Sequence, residues 1–77
     1  MLKQARKNKN LTQKQLSKIA NISQSYISRL EQDIFINSPT IRQIISLSKA
    51  LDISAYKLSN YFINKENAYN KKDNYVV

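Results

Sequence analysis

Gln24, Ser25, Ser28 and Arg29 are polar side chains that recur at helical spacing. Set on a helix, they fall along one exposed strip. A glutamine there can bond both N6 and N7 of an adenine, and an arginine both O6 and N7 of a guanine, whereas serine is less selective. Taken singly, they are also what any polar surface carries, so the surrounding elements must decide between the two readings. Covalent and metal chemistry is poorly provided for. The chain has no His and no Cys, and its five acids are scattered. That excludes zinc fingers, disulfides, thiol nucleophiles and imidazole bases, and it leaves no acid–base constellation. A non-enzymatic protein without metal or cofactor is expected.

The strip belongs to a segment, 12–31, that reads as two short helices around a tight corner. The helices are Gln13–Ala20 and Gln24–Gln32, and the corner is Asn21-Ile22-Ser23. Leu16, Ile19, Ala20, Ile22, Ile27 and Leu30 recur at helical spacing on both sides of the corner, so the helices should share a core. Thr12 is a good N-cap, with Gln15 placed to complete a capping box, and Ser23 caps the next helix. This is the layout of a helix-turn-helix, whose second helix is offered to a DNA groove.

Thr12-Gln13, Leu16, Ile22-Ser23 and Ile27-Ser28-Arg29-Leu30-Glu31 together resemble the lambda-repressor and Cro family of helix-turn-helix regulators, also called the XRE family. The likeness continues through Pro39–Leu58. It implies an all-α, compact five-helix domain over residues 1–63, with a polar tail over 64–77. By the same resemblance, Gln24, Ser25 and Arg29 fall on base-reading positions, with Ser28 beside them. Gln13 falls where the family contacts the DNA backbone, and Thr12, Ser23, Tyr26, Asn37 and Ser38 are nearby candidates for the same task. Glu31 is implied to pair with Arg6, holding the first helix against the third. Relatives often dimerise through the C-terminal end, which makes Tyr56, Tyr61 and Phe62 the interface candidates.

Charge agrees with a polyanionic partner. The net charge is +8 on 77 residues. Lys3, Arg6, Lys7, Lys9, Lys14, Lys18 and Arg29 all precede the first acid, Glu31, so the positive field should gather on the first three helices. A Lys-rich solvated surface is the bland alternative. Arg6 and Lys9 are expected to add field at the DNA backbone.

The remaining stretches supply scaffold. Met1 to Asn8 reads as a first helix, with Leu2 and Ala5 inward and Lys3, Arg6 and Lys7 outward. The chain has no Gly, so Asn10, Asn21 and Asp33, with Asp52 as a fourth, are expected to take the left-handed conformation at helix ends. Ile34-Phe35-Ile36 either folds onto the core or forms a patch for a partner. A fourth helix, from Thr40 or Ile41 to Leu51, should bury Ile41, Ile44, Ile45, Leu47 and Leu51. Ser48 should bond a carbonyl one turn back. Ser54 caps a fifth helix holding Tyr56, Leu58, Tyr61, Phe62 and Ile63. The polar stretch after it reads either as a frayed tail or as part of a self-association surface.

These readings converge on a sequence-specific, double-stranded DNA-binding transcription regulator. A repressor is expected, acting as a homodimer on an inverted-repeat operator, cytoplasmic and nucleoid-associated, with no membrane partner. An antirepressor or toxin could be its protein partner. The competing class is an antitoxin-like or adaptor protein, whose C-terminal helix and tail bind a partner while DNA binding is secondary.

Overall fold

The computed structural model describes residues 1–32 and 37–72, with the side chains of 70–72 left aside. Five helices follow in order: α1 Leu2–Asn8, α2 Gln13–Ala20, α3 Gln24–Leu30, α4 Ile41–Leu51 and α5 Ala55–Lys72. No strand occurs among the described residues.

Helix ends are set by local chemistry. Thr12 Oγ1 accepts from the Gln15 amide, and Gln15 Oε1 accepts from the Thr12 amide, closing a capping box at the start of α2. Thr40 and Gln43 repeat the arrangement at α4. Ser23 and Ser54 cap α3 and α5 through single bonds to Tyr26 and Lys57. Asn10, Asn21 and Asp52 have φ of 57°, 56° and 55°, so each takes the left-handed conformation that glycine would otherwise supply. Asp33 and the Ile34-Phe35-Ile36 run lie outside the described residues.

One core joins all five helices. Leu2, Leu16, Ile27, Leu30, Leu47, Leu51 and Leu58 are almost wholly enclosed, with Ala20, Ile22, Ile44 and Phe62 around them. α4 lies between α2 and α5, so the helix-turn-helix rests on α4 and α5 braces it from behind. Ser48 is buried in the α4 face, and its hydroxyl donates to the Ile45 carbonyl at 2.8 Å.

Three expectations need correction. Ile19 is 58% exposed. It lies about 80° around α2 from the midline of Leu16 and Ala20, outside the stripe the core can reach. Ile41 and Ile45 are exposed as well, because only Ile44, Leu47, Ser48 and Leu51 share the inner line of α4. Arg6, read as an outward residue of α1, is buried. The end of α5, which helical spacing leaves open, lies well past Ile63. The helix continues through residues 64–72, where Lys65 and Glu66 find partners across the fold.

Candidate nucleic-acid interface

α3 owes its fixed position to what lies beneath it. Ile27 and Leu30 enter the core one turn apart, and the Ser23 cap defines where the helix begins. At the corner, Asn21 turns left-handed and the Ser17 hydroxyl donates to the Ile22 carbonyl, so the loop is tied from within α2. With its inner line held in this way, α3 presents Gln24, Ser25 and Arg29 to solvent, while Ser28 is half-buried beside them.

A charged lock secures the far end of α3. Arg6 Nε donates to Glu31 Oε2 at 2.6 Å, and a second guanidinium nitrogen donates to Glu31 Oε1 at 3.0 Å, a bidentate pair. The remaining guanidinium nitrogen donates to the Leu11 carbonyl at 2.7 Å. Gln13 Nε2 donates to the same Glu31 Oε1 at 3.0 Å. The two charged side chains are only 10% and 4% exposed, so this is a buried pair. Burial opposes the charged form of Glu31. The bonds from Arg6 and Gln13, with the positive charge of Arg6 and Lys3, outweigh it and hold the carboxyl below its usual range. The Arg6 guanidinium is raised by the bond from Glu31, against the cost of burial.

Each predicted residue can now be placed. Gln24, Ser25 and Arg29 share the open face of α3, and the Arg29 guanidinium sits 5.9 Å from the centre of the Tyr26 ring. Burial pushes the Tyr26 phenol up, against the opposing charge of Arg29, so it remains a donor. Its hydroxyl donates to the Asn37 carbonyl at 3.2 Å, bringing Asn37 beside α3. Thr12 and Ser23 use their oxygens as cap acceptors, which leaves each hydroxyl proton free to point outward. Gln13 has its amide committed to Glu31, so any anion there would meet the main-chain amides of α2. Ser38 donates to Glu66 Oε1 at 2.7 Å, and its hydroxyl is engaged within the fold.

The aromatic candidates separate. Tyr56 is 88% exposed. Phe62 is 4% exposed and belongs to the core, stacked edge-on against Tyr61 with centroids 5.0 Å apart, so it has little surface to offer another chain. Tyr61 is half-buried, with Lys65 Nζ 5.8 Å from its ring centre. Tyr56 lines an apolar cleft between α4 and α5, together with Ile41, Ile44, Ile45, Ala55 and Ser59. A second apolar cleft shares Ile41, Ile44 and Ser59 and is lined as well by Phe62, Ile63 and Glu66. Sequence held no signal for the first cleft, because the helical spacing of Ile41 and Ile45 suits a core equally well.

Chemically, the α3 face offers hydrogen-bond donors and acceptors without a nucleophile or a general base. No group of His, Cys, Asp or Glu among the described residues could hold a metal ion. No helix among them is long and apolar enough to cross a membrane. A family model described as helix-turn-helix matches residues 2–58. No curated protein and no solved structure matches the chain.

Proposed function

From the premise that this chain belongs to the lambda-repressor-like, or XRE, helix-turn-helix family and is of the DNA-binding, transcription-regulating kind, we propose that it is a homodimeric repressor of an inverted-repeat operator. The observation that carries the reading is the α3 face. Gln24, Ser25 and Arg29 stand exposed on a helix whose underside is fixed by the core and by the Arg6–Glu31 lock. α3 enters the major groove, where Gln24 reads an adenine and Arg29 a guanine, while Ser25 and Ser28 add less selective contacts. Thr12, Ser23 and Asn37, with the main-chain amides at the start of α2, hold the phosphates and set register without reading sequence. Tyr26 orients both Arg29 and Asn37. Gln13 and Ser38 are drawn into the fold and act through what they hold in place.

One α3 spans few base pairs, so a second copy is required. The exposed cleft of Ile41, Ile45 and Tyr56 supports pairing of two chains about a two-fold axis, with half-sites ~34 Å apart. Repression follows from occupancy: a dimer seated on a promoter blocks it.

The test is selection of bound duplexes from a random pool, followed by titration of the selected duplex in salt. An inverted repeat is expected. Affinity should fall by ~10³–10⁵ between 50 and 200 mM salt if the dimer makes ~6–10 phosphate contacts. Recovery of no preferred duplex, or a flat salt dependence, overturns the reading. The same cleft also supports the second reading, an adaptor whose α4–α5 face binds another protein. That reading predicts a monomer by sedimentation and no enrichment of symmetric sites.

A further inference from the structure

The second half of α5 reaches back to the connection that follows the recognition helix. Lys65 Nζ donates to the Gln32 carbonyl at 3.1 Å, just past the C-terminal end of α3, where a cation is favoured. One residue further, Glu66 Oε1 accepts the Ser38 hydroxyl at 2.7 Å, just ahead of the buried Pro39. Between these anchors, Asn37 is held against α3 by Tyr26. Both ends of the α3–α4 connection are therefore fastened to one turn of α5. That turn lies beyond the family-matched span, which stops at residue 58.

We propose that Lys65 and Glu66 are positioning residues for DNA binding: they clamp the two ends of the α3–α4 connection so that Asn37, held by Tyr26, meets the DNA backbone in register with α3. The clamp rests on the DNA-binding reading and adds to it a control point on α5, outside the helix-turn-helix. An acid at this place is otherwise costly, since it lowers the positive field that draws in a polyanion. The Ser38 bond is what Glu66 returns for that cost. Because the clamp acts on backbone contacts, it sets affinity for every duplex alike and leaves base preference untouched.

The experiment compares two charge-matched variants, Glu66→Gln and Glu66→Ala, binding the selected duplex and a scrambled one. Both lose the same negative charge, but only Gln retains an acceptor for Ser38. Glu66→Gln should bind as tightly as the parent chain or tighter. Glu66→Ala should bind about three- to tenfold more weakly than Glu66→Gln, with an unchanged ratio of selected to scrambled affinity. Ser38→Ala, at constant net charge, should cause a comparable loss, and adding Glu66→Ala to it should cost little more because the same bond is gone. If Glu66→Ala does not melt cooperatively, Ser38→Ala in the parent and in the Glu66→Gln background carries the comparison. Equal binding by the two Glu66 variants, or additive losses in the double variant, overturns the clamp. Failure of the parent chain to bind any duplex overturns the DNA-binding reading itself.

Discussion

At the scale of single residues, the Arg6–Glu31 pair governs stability, and the α3 face is where we propose recognition. Two buried charges that satisfy one another, with Gln13 and the Leu11 carbonyl completing the network, leave neither partner free to be lost alone. Glu31→Ala strands a buried guanidinium and should lower unfolding free energy by ~3–5 kcal/mol in urea titrations. Adding Arg6→Met should restore much of that, since the penalty is chiefly the orphaned charge. The pH dependence follows from the lowered Glu31 carboxyl. Its stabilisation is complete above the unfolded-state value near 4.5, and it drains away as pH falls through the depressed folded-state value. Urea midpoints measured from pH 7 to pH 3 should show this loss in the parent chain and a smaller one in Glu31→Gln. The raised Arg6 contributes fully throughout that window. On α3, Arg29→Ala should cost ~1–3 kcal/mol on the selected duplex and relax preference at one base, read by competition with single-base substitutions. A uniform loss across all duplexes would make Arg29 a phosphate contact.

At the scale of elements, what the sequence announced was whatever depends on near neighbours. Thr12 with Gln15 specifies a cap within one turn, and Asn21 in a chain without glycine specifies a left-handed end. Asn21→Gly should therefore raise the melting temperature, by several tenths to about 1 kcal/mol of stability, because glycine takes φ near 56° without the Cβ conflict. A lower melting temperature would show that the Asn21 side chain does more than turn the corner. What could not be read depends on distant partners. Ile19, Ile41 and Ile45 have the same helical spacing as core residues, and only the placement of neighbouring helices leaves them outside. The stretch from Asn64 to Lys72 looks like a polar tail until Lys65 and Glu66 meet Gln32 and Ser38, more than twenty residues earlier in the chain. The resemblance pointed to Arg6 and Glu31 as partners, but not to the burial that makes the pair expensive to break.

At the scale of the whole molecule, the open face of α3 and the cleft between α4 and α5 are separate surfaces, and we propose recognition for the first and assembly for the second. Tyr56→Lys should leave helix content and monomer folding intact, shift sedimentation to the monomer, and weaken operator binding far more than half-site binding, since two linked contacts give way to one. A dimer that survives this change would move the interface elsewhere. The division of charge has a consequence of its own. With Arg6 withdrawn into its pair, Lys3, Lys7, Lys9, Lys14, Lys18 and Arg29 remain exposed in the first thirty residues, and every acid comes later. A molecule polarised in this way is turned by the field of a duplex before it touches it, so productive encounters should outnumber random ones. Its arrival, more than its departure, will be what ionic strength slows.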